Sequence, residues 1–501
     1  MDELYAYNKI TDAINTSINI YDLYLKLYYM LKEQEADIIS LDLEVDHNRL
    51  LSKLNSYYEE NISTLLERDT FKIMLSQNNK KSLCSLLEYN TIKSIAPKME
   101  GYLLFIFVLF CKIDDICGEQ SFLYSKTTYF ENSGEAVEAL EPLNTNNTQS
   151  KALVYFTEKS IVEKFYAYDP KVYFRKSKEI GSLIESYQTN LFLFQIKESD
   201  YITMINRINY TYTKKILTNS EKVNIALIPF TNNQSYIKFI RNGNSFFVES
   251  LEHEKVYLAK TIDILNKLNL KNVNIVVFPE FVFSSSMLQT IRTFLKKEKN
   301  NFALIIFGTI WENKTNKCII LSGNGKILGE QNKLNRFHED IRIHSLGSNE
   351  GIKLDSNNRK INIYDIEGLG RVNTPICIDF VTEDYYKFIE DIKVNICFSP
   401  TYTESLKNFN INANRLGTHN YASVFLCNSC IPMNYKMITS NMVNKKRYPL
   451  LFSYIPLKNK GTKYMNYCKC IEPDCGSNLK SICVFWIKFS LNRCIIKKVS
   501  L

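Results

Sequence analysis

The second half of the chain alternates between two hydrophobic patterns. Continuous apolar runs of strand length occur at KVNIALIPF (222–230), IVVFPE (275–280), FALIIFGTI (302–310), KINIYDI (360–366), RVNTPICIDF (371–380), KVNICFSP (393–400) and SVFLCNS (423–429). Between them, residues 251–268 and 285–297 carry apolar positions at helical spacing, the second with serine at its cap. CIILSGNGKILGEQNK (318–333) reads as two strands about a Gly-Asn-Gly turn. Strands that are apolar at almost every position have no solvent face. They predict sheets covered by helices, an α/β layered domain.

The first half follows the helical period instead. Tyr21, Tyr24, Leu25, Tyr28 and Leu31 recur at that spacing, as do Leu50, Leu54, Tyr57 and Tyr58, and then Leu65 and Ile73. Aromatic stripes of this kind are core positions. The polar stretch EPLNTNNTQSK (141–151) predicts a linker, and residues 152–220 mix short apolar runs with a helical stretch to which no fold is assigned. The expected organisation is a mostly helical domain over 1–140, a linker and mixed α/β segment over 141–221, and an α/β domain over 222–501.

Composition adds exclusions. The 501 residues are 45% hydrophobic and 23% charged, an ordinary balance for two or three globular domains. The formal net charge of +9 comes from scattered lysines such as Lys296, Lys297, Lys299, Lys445 and Lys446. With no dense basic stripe, no nucleic-acid partner is expected. The start, MDELYAYNK, has no apolar core and is not read as a signal peptide. The most apolar run, GYLLFIFVLFCK (101–112), is shorter than the ~20 residues of a bilayer span and reads as a buried helix. A cytoplasmic protein without a membrane partner is expected. The 13 cysteines then read as reduced thiols. Cys427 with Cys430, and Cys468, Cys470 and Cys475, invite a zinc reading, but Cys427 ends a strand-like run and Cys-x-Cys is not a usual zinc-knuckle spacing. Buried free thiols are the favoured reading.

Glu280, Lys333 and Cys377 each sit where an apolar strand runs out, and sites in α/β sheets collect at the carboxyl ends of strands. Their chemistry is coherent. A cysteine thiolate attacks a carbonyl or nitrile carbon, and a carboxylate takes the thiol proton and later activates water. A lysine ammonium, helped by the backbone N–H that follows the nucleophile, here that of Ile378, stabilises the oxyanion. The alternative is a surface glutamate, a surface lysine and a buried thiol with no common role.

These segments, in this order, resemble the nitrilase, or carbon–nitrogen hydrolase, superfamily. ALIPF (226–230) is similar to the opening strand, VVFPE (276–280) to the motif of the base glutamate, GKILGEQNKLN (325–335) to the hairpin with the lysine, and PICIDF (375–380) to the nucleophile segment. ICFSPTYTES (396–405) and ANRLGTHNYASVFLCNS (413–429) support the match. The resemblance covers roughly 222–430 and none of 1–220. It implies an α-β-β-α sandwich and an amidase-like hydrolase of a non-peptide C–N bond. Glu280, Lys333 and Cys377 would be catalytic, the intermediate a thioester, and the substrate a small amide or nitrile. No metal or organic cofactor is implied, and a homo-oligomer is expected.

There are departures from the family pattern. The Lys333-to-Cys377 separation is longer than the family usually shows, and the excess lies in 338–358, which reads either as a solvated loop or as a lid. Many relatives carry a second glutamate seven or eight residues after the lysine, and Glu339 and Asp340, six and seven residues after Lys333, are the candidates for that accessory place. Ile378 stands where relatives often have an aromatic residue, whereas Asp379 fits the pattern. Two other functions remain open: a nitrilase-fold binding or scaffold module, and a hydrolase regulated by its N-terminal region.

Overall fold

The computed structural model describes residues 3–33, 56, 77–86, 106–114, 137–139, 152–156, 160–161, 191–195, 201–208, 211–218, 221–230, 236–338, 349–354, 359–403, 405–429, 449–456, 462–467, 483–490 and 493–500. The chain divides into two compact units, one of Met1–Asn132, Glu141–Thr157 and Asp169–Glu198, the other of Ser133–Leu140, Glu158–Tyr168 and Ser199–Leu501.

In the first unit, helices span Glu3–Thr16, Ile20–Glu33 and Gln77–Leu86, residues 106–114 are helical, and Ala152–Phe156 pairs antiparallel with Leu191–Gln195. The aromatic stripe is core, as its period requires: Tyr21, Tyr24, Leu25, Tyr28 and Leu31 are all buried on one helix. Tyr24 stacks on Phe110 of the apolar run, with ring centroids 4.3 Å apart. The stripe positions Leu50, Leu54, Tyr57, Tyr58, Leu65 and Ile73, and the linker stretch 141–151, lie outside the described residues. Among those that are described, no helix is long and apolar enough to cross a membrane.

The larger unit is built on two sheets. One runs, in spatial order, Ile327–Asn332, Thr315–Ser322, Leu304–Glu312, Ile275–Val277, Lys222–Leu227, Cys483–Ser490 and Arg493–Ser500. Its middle three strands are parallel and both flanks antiparallel. The other runs Val137–Ala139, Tyr201–Ile208, Arg359–Ile366, Gly370–Asn373, Ile396–Thr401, Ser423–Asn428, Pro449–Ile455 and Thr462–Tyr467. The strand Tyr201–Ile208, in a segment whose sequence suggested no fold, pairs in parallel with Arg359–Ile366 along its whole length.

Each sheet is apolar on two faces because each has two neighbours. Val276, Ile305 and Ile319 pack with Ile264, Leu265, Leu268, Met287, Ile291 and Leu295 of the helices Glu254–Leu270 and Ser285–Lys297. Their strand neighbours Ile275, Val277, Leu304 and Ile306 point the other way and are equally buried. The second sheet is covered by Glu383–Asp391 and Lys407–His419, where Gly417 lies against the Tyr454 ring. Between the sheets, the Gln331 side chain donates to the Lys360 carbonyl and accepts from the Asn362 N–H, at 3.1 and 2.8 Å. The layers are therefore helix, sheet, sheet, helix.

Most elements fall where the apolar pattern put them. Ser284 caps the helix Ser285–Lys297 by accepting the Met287 N–H. The Gly-Asn-Gly turn joins an antiparallel pair. RVNTPICIDF is the exception, because it is not one strand. Pairing stops at Asn373, just before the N–H-less Pro375, and Cys377–Val381 forms a 3-10 turn. A hairpin that the pattern did not announce, Ile237–Asn242 with Ser245–Leu251, carries a third short strand, Asn349–Glu350, in parallel beside Ser245 and Phe246.

Candidate active site

Glu280 is placed by a break in its strand. After Ile275–Val277 the chain turns through Pro279, and the Glu280 N–H reaches the Thr401 carbonyl, at the end of a strand of the other sheet, at 3.4 Å. The neighbouring strand makes room with Gly308, at φ 68°, where a Cβ would come 2.2 Å from the Pro279 carbonyl oxygen. Next to it the Thr309 hydroxyl accepts the Phe281 N–H at 2.9 Å, and Phe281 itself holds a φ of 62°. The motif's Pro-Glu is thus a turn that presents the carboxylate to the space between the sheets.

Lys333 follows the last residue of Ile327–Asn332, and its N–H is held by the Asn316 carbonyl at 2.8 Å. Its ammonium contacts two carboxylates, Glu280 Oε1 at 2.8 Å and Glu350 Oε2 at 2.6 Å. Asn316 Nδ2 joins the same cluster, donating to Glu280 Oε1 at 2.8 Å and Glu350 Oε1 at 3.3 Å. Exposures of 1% for Glu280, 5% for Lys333 and 0% for Glu350 put this ionic group away from bulk water. Glu280 Oε1 accepts two hydrogen bonds, while its Oε2 is buried without one.

Cys377 opens the 3-10 turn with φ 48°, in the left-handed region that non-glycine residues rarely occupy. Its buried thiol faces the Tyr402 carbonyl at 3.9 Å, and the charges of Glu280, Lys333 and Glu350 all act on it. Ile378 follows within the turn. Two residues on, Asp379 ties this turn to the lysine loop: it accepts from the N–H groups of Leu334 at 3.2 Å and Asn335 at 2.8 Å, and from Asn335 Nδ2 at 2.9 Å. Arg359 closes the loop from outside, donating to Asn335 Oδ1 at 2.7 Å and Tyr201 Oη at 2.9 Å.

Burial and charge set the protonation states. Burial acts to lower the Lys333 ammonium, but the Glu280 and Glu350 charges outweigh it and hold the proton on. Burial raises Glu280, Glu350 raises it further, and Lys333 and Asn316 oppose the rise. The Cys377 thiol is pushed well up, first by burial and then by the Glu280 charge. Asp379 is pushed up to about 7 by burial, against the pull of Lys333 and its hydrogen bonds. The outer wall is aromatic: the Phe281 ring lies 5.7 Å from Lys333 Nζ and packs on Tyr402, Trp311 and Phe239 at 5.7, 6.0 and 5.9 Å between centroids.

The structure therefore brings Glu280, Lys333 and Cys377 to one place. The accessory candidates Glu339 and Asp340 lie outside the described residues, and the acid found beside the lysine is Glu350. The sequence offered one hint of it. In the stretch NEGIK, a glutamate stands before a glycine and an apolar residue, and Gly351 is needed because a Cβ there would come 2.1 Å from the Phe247 ring. Asn316 carried no sequence signal beyond a polar residue at the start of an apolar strand. Among the described residues, no three His, Cys, Asp or Glu side chains are grouped to hold a metal ion. Cys427 is buried in its strand, and Cys430, Cys468, Cys470 and Cys475 lie outside the described residues.

No family model and no curated protein matches the chain. Solved structures similar to it include Nit3 of Saccharomyces cerevisiae, a member of branch 10 of the nitrilase superfamily (14% identity over 55% of this chain and 92% of that one, TM-score 0.31). An amidase from Nesterenkonia sp. (9%, 56% and 90%, TM-score 0.32) and the C. elegans NitFhit protein (13%, 54% and 61%, TM-score 0.34) are also similar. These are likenesses to nitrilase-superfamily structures over about half of the chain.

Proposed function

We propose that the larger unit is a cysteine hydrolase of a non-peptide C–N bond, amidase-like, with Cys377 as nucleophile, Glu280 as base and Lys333 as oxyanion stabiliser. The observation that carries this reading is the division of labour on Glu280. One oxygen is committed to Lys333 and Asn316, and the other is buried and free to take a proton. A purely structural ion pair needs no thiol on a strained turn beside it.

The steps follow from the charges. The thiol is protonated at rest, since burial and the Glu280 charge both raise it. Its proton passes to Glu280 Oε2 as Sγ attacks the carbonyl carbon. The Lys333 ammonium, kept charged by two carboxylates, and the Ile378 N–H stabilise the oxyanion. The Glu280 proton goes to the leaving nitrogen, the C–N bond breaks, and a thioester remains on Cys377. Glu280 then takes a proton from water, which attacks the thioester and releases the acid and the thiol. Glu350 fills the place of the second glutamate found in many relatives and orients Lys333. The aromatic wall of Phe281, Tyr402 and Phe239 suits an apolar acyl group.

The test is ammonia or amine release from a panel of small amides and nitriles, comparing the wild type with Cys377→Ala. Turnover confined to the wild type supports the reading. Equal release by both proteins refutes it.

A further inference from the structure

Asn316 touches more of this site than any single role requires. Its backbone carbonyl fixes the Lys333 N–H, and its side-chain nitrogen lies between the two carboxylates, with the residue only 1% exposed. Charge decides which end of the amide faces them. An amide oxygen there would meet two carboxylate oxygens, whereas the nitrogen offers each an N–H. Oδ1 accordingly points elsewhere and makes no hydrogen bond.

We propose that Asn316 is a positioning residue, whose amide holds the Glu280 and Glu350 carboxylates about Lys333 and leaves Glu280 Oε2 as the oxygen that takes the Cys377 proton. This rests on the reading of Glu280 as the base. Two carboxylates around one ammonium carry an excess negative charge, which burial makes costly. A second cation would cancel it, but would also draw the proton-accepting oxygen into an ion pair. A neutral amide supplies two donors without that penalty, and a hydrogen bond to the charged form favours ionisation. Among the described residues, the charged and titratable groups that act with Glu280 are Lys333, Glu350 and Cys377, and Asp379 acts on the same cluster through Lys333. Among the opposing influences on Glu280, Asn316 is the neutral one.

The probe is iodoacetamide, which needs no knowledge of the substrate. Sγ displaces iodide, an S–C bond forms, and the thiol proton goes to Glu280. The rate of Cys377 alkylation is read by peptide mass spectrometry between about pH 5 and pH 9 for the wild type, Asn316→Leu, Asn316→Asp and Glu280→Gln, with circular dichroism to confirm folding. Loss of the amide should move the acid limb of the profile up by about one pH unit in Asn316→Leu, a roughly tenfold slowing on that limb. Asn316→Asp is nearly isosteric, adds a third carboxyl group and should move the limb at least as far, so the test survives if the leucine variant does not fold. A limb that stays in place in the folded variants, whatever the overall rate, makes Asn316 a packing residue and overturns the proposal. If Glu280→Gln reacts as fast as wild type, the base assignment falls and the proposal with it. If Glu280→Gln is slow while the Asn316 limb is unmoved, only the proposal falls.

Discussion

Lys333 Nζ lies 2.6 Å from Glu350 Oε2, and both side chains are buried. The two residues arrive on different supports. Lys333 directly follows a strand of the seven-stranded sheet, while Glu350 sits on a short strand held by the separate hairpin Ile237–Asn242 and Ser245–Leu251. Glu350 is pinned on both oxygens, with the Phe337 N–H and Lys333 on Oε2 and Asn316 on Oε1. The ammonium therefore cannot swing away without stranding a buried carboxylate, which costs several kcal/mol.

Glu350→Gln keeps the shape and removes the charge. It should lower kcat by roughly tenfold to a hundredfold with a smaller change in KM, because a less firmly held ammonium stabilises the oxyanion less well. The paired Glu339→Gln and Asp340→Asn variant is the comparison. A loss as large as that of Glu350→Gln would return the orienting role to those residues.

Lys333→Met leaves two carboxylates buried without their cation. A loss of about 3–5 kcal/mol is expected at neutral pH, together with loss of turnover. The sign of its pH dependence follows from linkage. Burial already holds the folded-state value of Glu280 above the unfolded carboxylate value, and without the ammonium that opposes this it moves further up. The folded state then binds more protons, and stability falls as pH rises through that window. Urea midpoints should recover towards pH 5 and worsen towards pH 8, whereas a pH-independent deficit would contradict this account.

Cys377→Ala and Cys377→Gly should both be inactive, but they separate strain from chemistry. Glycine ordinarily costs about 0.5–1 kcal/mol relative to alanine, whereas at φ 48° alanine carries a penalty of about 1–2 kcal/mol that glycine does not. The glycine variant should therefore match the alanine variant or exceed it by up to about 1.5 kcal/mol in chemical denaturation. A clear advantage for alanine would mean that the turn is unstrained.

Asp379 should make wild-type stability fall as pH rises from about 4 to about 7. Its folded value, about 7, lies above the ordinary carboxylate value, so protons are bound more tightly in the folded state across that interval. Asp379→Asn removes this contribution and should flatten the curve there, while keeping an acceptor for Asn335. Asp379→Leu strands the Leu334 and Asn335 donors and should cost about 2–4 kcal/mol at any pH. Unfolding midpoints of the three proteins at pH 5 and pH 8 decide the matter.

What could be read along the chain was local. Apolar runs such as IVV and LIIF announce covered strands, Gly-Asn-Gly announces a hairpin, and a proline followed by a glutamate marks where a strand stops and a carboxylate emerges. Glu280, Lys333 and Cys377 were legible for this reason: each is defined by the strand that ends just before it. Cys377 was legible in place but not in conformation, because the 3-10 turn after Asn373 replaces an apolar run that reads as continuous strand. Glu350, Asn316 and the strand Tyr201–Ile208 were not legible, because their positions come from partners far away in the sequence. Glu350 depends on parallel pairing with Ser245 and Phe246, Asn316 on its register opposite Trp311, and Tyr201 on pairing with Arg359. No spacing or period encodes such pairings. They are selected when the sheets close and leave buried charges that only one another can satisfy.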